Sequence, residues 1–194
     1  MKKQPLFVLV IVGALLLIFV YVGYASIQSL FRKTPVVAVP PVTKVEQQTQ
    51  IQYKNSSYRI EGSDVQLSNG YAETEATPGS LSKITTRYFG NEAIGDLNGD
   101  GVADVAFLLT QETGGSGTFF YLVAALKTQA GYQGSEAYFL GDRIAPQTTE
   151  YKDGVITVNY ADRKEGVSFA EQPTEGKSIR LSLSTSTMKF VEVK

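Results

Sequence analysis

The sequence predicts a mainly β fold: an antiparallel β domain that follows one N-terminal transmembrane helix and a Pro-rich linker. Three observations indicate this. An uncharged apolar run lies near the N-terminus, a stretch with three prolines follows it, and short strand-like segments separated by Gly, Asn, Asp and Ser fill the remainder. After the apolar run, no long stretch shows the periodicity of an amphipathic helix, so the remainder of the chain is interpreted as β structure.

The apolar run extends from Leu6 to Ala25 and contains no charged residue. A helix of this length measures about 30 Å, which is the thickness of the hydrocarbon core of a bilayer. We therefore expect an uncleaved signal-anchor over residues 6–31, preceded by a tail of residues 1–5. Two alternatives stay open: a signal peptide that is cleaved after small residues near Ala25, and a buried helix of a soluble protein.

Flanking charges do not decide the orientation of this run, since Lys2 and Lys3 precede it and Arg32 and Lys33 follow it. The preceding tail is short, and the chain after the run is long. We expect a cytoplasmic tail, a single span of the cytoplasmic membrane, and an extracytoplasmic C-terminal domain.

Residues 32–50 form the predicted linker. Pro35, Pro40 and Pro41 favour an extended course and are incompatible with a regular helix or an inner strand. The predicted β-rich domain then comprises residues 51–194.

The composition excludes several functional classes. Residues 51–194 carry 13 Lys and Arg against 18 Asp and Glu, a formal charge of −5, so the basic surface expected of a nucleic-acid-binding protein is missing. The chain has no Cys and no His. These absences exclude disulfides, a Ser-His-Asp triad and His-ligated zinc, and they leave carboxylates, Lys, Tyr or a metal ion as routes to catalysis.

Ten short segments have the composition of strands, with turn signals such as Asn69-Gly70 and Asp153-Gly154 between them. Two of these segments, residues 105–112 and 118–127, are apolar on both faces, which indicates a central hairpin covered on both sides. The predicted strands are residues 58–60, 65–67, 71–75, 84–89, 105–112, 118–127, 136–140, 155–160, 179–184 and 189–193.

The segment that precedes this hairpin has the residues for metal chemistry. Asp96, Asn98 and Asp100 stand at alternate positions, a glycine follows, and Asp104 ends the set. Side-chain oxygens at positions one, three and five, the carbonyl of Val102 at position seven and an oxygen at position nine suit a hard cation that takes six to eight oxygens. We predict a structural calcium ion with the ligands Asp96, Asn98, Asp100, Val102 and Asp104.

Residues 95–105, Gly-Asp-Leu-Asn-Gly-Asp-Gly-Val-Ala-Asp-Val, resemble the calcium loops of FG-GAP or VCBS repeats, which precede an apolar strand in integrin-like β-propellers. An EF-hand is not indicated, because the position of its bidentate Glu is occupied by Phe107. The propellers contain arrays of repeats, whereas this chain has one such loop. We therefore do not expect a full propeller.

A wider likeness covers residues 88–163. It rests on the loop and on four further segments: residues 88–93, 114–119, 139–146 and 158–163. Together they resemble an uncharacterised family of bacterial membrane-anchored envelope proteins. The resemblance implies a location in the cell envelope and adds no activity.

A solvated turn without a metal ion is the alternative interpretation of the loop, because Asn-Gly and Asp-Gly form turns by themselves. Three carboxylates within nine residues repel one another unless a cation or solvent screens them, and this favours the metal. Since no bidentate Glu is present, the dissociation constant for calcium is expected in the weak range of extracellular modules, about 10⁻⁴ to 10⁻³ M.

Two further patterns have both structural and functional interpretations. Residues 114–117, Gly-Gly-Ser-Gly, favour a hairpin turn over a phosphate cradle, because no Lys-Ser or Lys-Thr pair follows. The pairs Asp142-Arg143 and Asp162-Arg163 are interpreted as ion pairs at strand ends, with binding of an anionic or sugar-like ligand as the alternative.

The leading functional hypothesis is a non-enzymatic module with a binding or scaffold role in the bacterial cell envelope. Its expected partners are the membrane and an envelope protein or a glycan, with no nucleic acid. The alternative is a carboxylate-dependent hydrolase of envelope polymers, with candidate carboxylates at Asp142, Asp162, Glu92 and Glu112. A simple spacer domain is the third interpretation.

Overall fold

The computed structural model describes residues 52–194, so the predicted tail, anchor and linker lie outside the described residues. Within residues 52–194, no helix is long and apolar enough to cross a bilayer. A short 3₁₀ helix, Tyr53–Asn55, is followed by twelve strands. These are β1 (Ser57–Ile60), β2 (Ser63–Gln66), β3 (Tyr71–Glu75), β4 (Lys83–Gly95), β5 (Asp104–Glu112), β6 (Phe119–Thr128), β7 (Gly131–Gly134), β8 (Tyr138–Asp142), β9 (Ala145–Lys152), β10 (Val155–Asp162), β11 (Glu175–Ser184) and β12 (Lys189–Glu192).

The strands form three antiparallel sheets, which confirms the predicted mainly β fold for this part of the chain. β1 and β2 form a two-stranded sheet. The central sheet has the order β3-β4-β5-β6, and the far edge of β6 pairs with β8 through residues 119–122 and with β7 through residues 125–128. The C-terminal sheet has the order β12-β11-β10-β9.

The hairpin of β5 and β6 is covered on both faces, as its sequence predicts. Alternate side chains of the two strands point to opposite sides, so one hairpin contributes to two hydrophobic cores. The first core contains Phe107, Leu109 and Val123 together with Tyr53, Tyr58, Ile60 and Val65. The second contains Ala106, Leu108 and Leu122 together with Ile156, Val158 and Leu181 of the C-terminal sheet.

Two predicted turns adopt the backbone that their sequences demand. Asn69 and Gly70 have φ values of 52° and 78°, and Asp153 and Gly154 have values of 50° and 80°. Left-handed residues at both central positions match the right-handed twist of the flanking strands in tight hairpins. The second turn joins β9 to β10 with Lys152 opposite Val155.

Strand β4 is longer than the predicted segment 84–89, because its pairing with β5 continues beyond two bulges in the middle of the strand. The register with β5 shifts between Tyr88 and Gly90 and again between Gly90 and Ala93. Gly90 and Asn91 have φ values of 112° and 54°. Such bulges re-aim side chains, and here they turn Glu92 toward Tyr88 and the 3₁₀ helix.

Strands β7 and β9 were not among the predicted segments. β7 is a short edge strand with glycine at both ends. β9 is mostly polar and contains Pro146, which it accommodates as an edge strand beside a bulge opposite Asn159 and Tyr160.

Candidate metal centre

The predicted metal loop joins β4 to β5 and is organised by the carboxylate of Asp96. One carboxylate oxygen accepts hydrogen bonds from the backbone N–H groups of Gly99 (2.7 Å) and Asp100 (3.1 Å), and the other accepts one from Gly101 (2.8 Å). Gly99 and Gly101 have φ values of 80° and 83°, so both glycines are required by the turn. The hydrogen bond from Gly101 is the main cause that lowers the pKa of Asp96, and the other backbone donors add to it.

Asn98 and Asp100 form the exposed tip of the loop. The Asn98 amide donates to the Asp100 carboxylate (2.9 Å), and the Asp100 N–H donates to the Asn98 side-chain oxygen (3.0 Å). The second oxygen of Asp100 accepts the N–H of Val102 (2.7 Å). The tip is therefore held by its own side chains, with their oxygens directed inward along the turn.

Asp104, the last predicted ligand, is completely buried at the start of β5. Its oxygens accept the N–H of Leu97 in the loop (2.9 Å) and the N–H of Lys127 near the end of β6 (2.7 Å). Burial is the main cause that raises the pKa of Asp104. The two hydrogen bonds act to lower this pKa, and the neighbouring carboxylates of Asp100 and Asp96 raise it further. Asp104 thus joins the loop to both strands of the central hairpin.

The loop is also tied to the C-terminal sheet. The hydroxyl of Tyr151 in β9 donates to the backbone carbonyl of Asp96. The Tyr151 ring lies directly on Gly95, where a Cβ would come within 1.9 Å of the ring. Glycine before the acidic segment is therefore a packing requirement as well as part of the sequence pattern.

The loop has the ligand atoms that a hard cation prefers, since every candidate ligand atom is an oxygen. In residues 52–194, none of the carboxylates of Asp96, Asp100 and Asp104 has an ion-pair partner. A buried carboxylate beside two others is costly without a compensating cation. The described residues contain no group of three or more acidic side chains already arranged around one metal position, so binding would require the loop carboxylates to move closer together around the ion.

An open groove of about 540 Å³ lies beside the loop. Asn98, Asp100 and Val102 form its loop side, and residues 126–129 with Gln133 form the side contributed by β6 and β7. This groove could not be predicted from the sequence, because β7 was not among the predicted strands. The same holds for Tyr151, which lies in the other unpredicted strand.

The two Asp-Arg pairs of the sequence meet around one aromatic ring. The Arg143 and Arg163 guanidinium carbons lie 4.2 and 5.6 Å from the centre of the Phe169 ring, and Arg163 donates to the carbonyl of Arg143 (2.8 Å). Phe169 belongs to the segment 163–174 between β10 and β11. The cluster thus fastens that segment to the end of β8.

The carboxylates of these pairs are engaged in ion pairs. Asp142 accepts two hydrogen bonds from Arg143 (3.0 and 2.7 Å) and the N–H of Thr118 (3.0 Å), and the Arg143 guanidinium is the main cause that lowers the pKa of Asp142. Burial acts to raise the pKa of Asp162, but hydrogen bonds from Lys177 (2.7 Å) and the Arg163 N–H (2.7 Å) prevail and lower it. The Asp142–Arg143 ion pair is confirmed, whereas Asp162 pairs with Lys177.

Glu92 and Glu112, the other two candidates for catalysis, have different surroundings. The Glu92 carboxylate accepts hydrogen bonds from the hydroxyls of Tyr53 and Tyr88, and Lys54 lies 4.0 Å away. Burial, followed by these hydrogen bonds to a carboxylate, raises the pKa of both tyrosines. Glu112 is exposed at the end of β5.

The fold and loop define an antiparallel β protein with an acidic turn beside its central hairpin. Comparisons with protein-family models, with curated proteins and with solved structures found no match to this chain. The residues themselves must therefore carry any assignment of function.

Proposed function

We propose that this protein is a membrane-anchored, extracytoplasmic module with a binding or scaffold role in a bacterial envelope, stabilised by calcium bound in the loop of residues 96–104. The observation that supports the metal is the fully buried carboxylate of Asp104, which has two carboxylates nearby and no ion-pair partner in residues 52–194. A divalent cation supplies the missing charge.

The proposed ligands are the side chains of Asp96, Asn98, Asp100 and Asp104 with the carbonyl of Val102. Hydrogen bonds from backbone N–H groups do not prevent this, because each carboxylate oxygen has two lone pairs and can accept a hydrogen bond while it ligates a metal. The loop contacts β6 through Asp104 and β9 through Tyr151, so an ion held there would stabilise both sheets.

The stabilisation expected from the ion is modest. With a dissociation constant of about 10⁻⁴ to 10⁻³ M and about 2 mM free calcium, mass action contributes about 0.6–1.8 kcal/mol to the free energy of unfolding. Millimolar calcium is characteristic of the space outside cells, and we therefore propose that the loop lies there. The predicted anchor of residues 6–31 and the likeness to envelope proteins support the same location.

The hydrolase alternative has less support. A general acid must carry a proton at the working pH, whereas Asp142 and Asp162 are ion-paired and their pKa values are lowered. Glu92 accepts hydrogen bonds from two phenols, an arrangement that positions neighbouring rings in the first core.

Thermal unfolding of the full-length chain in detergent tests the metal. Circular dichroism is recorded with millimolar calcium, with magnesium and with a chelator. We expect calcium to raise the melting temperature by about 2–6 °C, as about 1 kcal/mol does in a domain of this size. Asp100→Ala should abolish the response, because it removes a ligand oxygen, and Asp64→Ala, at an exposed residue of β2 outside the loop, should retain it. A melting temperature that does not change with calcium would contradict the proposed metal site.

A second experiment tests the location. A peptide tag is placed after Lys194, and intact cells stripped of their wall are treated with protease. We expect the tag to be removed, because the C-terminal domain is proposed to lie outside the cytoplasmic membrane. A tag that resists protease until the cells are lysed would contradict the proposed orientation.

A further inference from the structure

The groove beside the metal loop has the dimensions of a ligand site. Its volume of about 540 Å³ falls within the range of about 300–1,000 Å³ that small-molecule sites occupy. One side is the loop tip, and the other is the end of β6 with Gln133 of β7. Two separate parts of the chain thus form its walls.

Hydrogen-bonding side chains in the groove are free to bind a ligand. Within residues 52–194, the side chains of Thr128, Gln129 and Gln133 make no hydrogen bond to protein groups. Gln66 and Gln111 are engaged by contrast: Gln66 donates to two backbone carbonyls, and Gln111 donates to Thr86. A free amide offers both donors and an acceptor, and a hydroxyl offers one donor and two acceptors.

The charge of the groove favours a neutral ligand. Asp100 and Lys127 are its charged residues, and their charges cancel. The Lys127 ammonium is held by the side-chain oxygen of Gln52 (3.0 Å) and lies 4.5 Å from the centre of the Tyr132 ring. A polyanion would find one cation that is already engaged, and so nucleic acid and acidic polymers are poor candidates.

The groove also offers a small apolar surface beside its polar groups. Val102 is 46% exposed on the loop side, whereas Leu126 in the opposite wall is only 6% exposed. A sugar ring presents hydroxyls at its rim and C–H groups on its faces, and it therefore needs both kinds of surface. The lining, with amides, a hydroxyl, cancelling charges and the exposed side chain of Val102, matches that pattern.

We propose that this groove binds a neutral oligosaccharide. The inference rests on the proposed binding function and gives that function a ligand class. Asn98 and Asp100 belong to both the proposed metal site and the groove wall. A calcium ion that draws these two side chains toward it reshapes the wall, so calcium and sugar should affect each other's affinity reciprocally.

Titration of the full-length chain with two neutral trisaccharides, tri-N-acetylglucosamine and maltotriose, tests the proposal. The protein is kept in a detergent without sugar headgroups, and binding is measured by calorimetry. We expect saturable binding of at least one trisaccharide. Gln133→Ala should weaken it about tenfold, the effect of losing about 1.4 kcal/mol of hydrogen bonding. Gln147→Ala, an exposed glutamine of β9 outside the groove, should leave it unchanged.

The outcomes separate the groove from the metal. Failure of both trisaccharides to bind would overturn the groove proposal, and a melting temperature that still responds to calcium would leave the metal proposal standing. Binding that is equal with calcium and with chelator, yet lost in Gln133→Ala, would support the groove and contradict its coupling to the metal. Equal binding by Gln133→Ala and the parent chain, with both folded by circular dichroism, would overturn the groove.

Discussion

At the scale of single residues, Gly95 connects the loop to the C-terminal sheet. The Tyr151 ring occupies the space where any other residue would place its Cβ. A side chain at this position must displace the ring, and with it the hydroxyl that donates to the carbonyl of Asp96. The glycine that precedes the acidic segment is therefore needed for contact between sheets.

Gly95→Ala should lower the free energy of unfolding by about 1–3 kcal/mol, the usual cost of overpacking. Urea denaturation measures this change in the free energy of unfolding. Gly176→Ala is the matched control, because that glycine lies in β11 with open space around the position that a Cβ would take, and its effect should stay below about 0.5–1 kcal/mol. In a Tyr151→Ala background the cost of Gly95→Ala should fall, and an undiminished cost would show that the ring is not responsible.

The ion pair of Asp142 predicts a pH dependence of stability. Its pKa in the folded protein lies below the ordinary value of 3.8, so its contribution is fully present above pH 3.8 and is lost as the pH falls through the folded pKa. Asp142→Asn should therefore cost about 1–3 kcal/mol at neutral pH and progressively less in acid.

Denaturant unfolding at several pH values compares Asp142→Asn with Asp64→Asn. Asp64 pairs with Arg59 at 3.5 Å, but both side chains are mostly exposed, so that loss should stay below about 0.5 kcal/mol. A cost for Asp142→Asn that persists unchanged below the folded pKa would exclude the ionised carboxylate as its source.

At the scale of elements, the segment 163–174 owes its position to Phe169. This ring is 52% exposed, yet two guanidinium groups contact it. Cation–π contacts at such exposed sites contribute about 0.5–1 kcal/mol each. The other contacts of the segment are hydrogen bonds that involve the backbone, such as those from Arg163 to the Glu171 carbonyl (2.5 Å) and from the Thr174 N–H to the Asp162 carbonyl (2.9 Å).

Phe169→Ala should loosen this segment and leave the sheets intact. Hydrogen exchange followed by mass spectrometry should show faster exchange in peptides from residues 163–174, with the strands unchanged. Val167→Ala, an exposed apolar residue of the same segment without ring contacts to arginine, is the control and should exchange like the parent chain. Equal exchange in all three proteins would contradict the role of Phe169.

The elements also show which parts of the fold can be predicted from the sequence. The two-faced apolar pattern of β5 and β6 and the Asn69-Gly70 and Asp153-Gly154 turns are local signals, and the structure confirms them. β9 has no such signal, because its position depends on pairing with β10 and on contact with Gly95. The length of β4 depends on bulges, which are set by the partner strand.

The acidic loop was predictable as a turn, whereas its surroundings were not. The dipeptides Asn98-Gly99 and Asp100-Gly101 indicate the turn directly. The hydrogen bond between Asp104 and the Lys127 N–H depends on the register of β6 with β5. The position of Gln133 across the groove depends on the register of β6 with β7. Registers of this kind are set by the packing of the whole sheet.

At the scale of the whole molecule, the central sheet links two cores. Phe107 and Leu108 are adjacent, both fully buried, and they point into different cores. Since both cores use the same strands, loss of packing on one face should weaken the entire β structure.

Phe107→Ala and Leu108→Ala should each lower the free energy of unfolding by about 2–5 kcal/mol and keep a single transition. Calorimetry checks this through equality of the calorimetric and van't Hoff enthalpies. Leu81→Ala, at a side chain that is 98% exposed, is the control and should be nearly neutral. Two separate transitions in either core variant would show that the cores unfold independently.

The two-sided burial of the β5–β6 hairpin also bears on synthesis of the chain at the ribosome. The residues that cover its first face, Tyr53 to Leu67, precede it, and so they emerge from the ribosome earlier. The residues of β10 and β11 that cover its second face emerge only later. A nascent chain that ends between them displays a broad apolar sheet to its surroundings, where chaperones bind and aggregation begins. Truncation after residue 150 should therefore yield an insoluble product, even though it retains the whole sequence of the acidic loop.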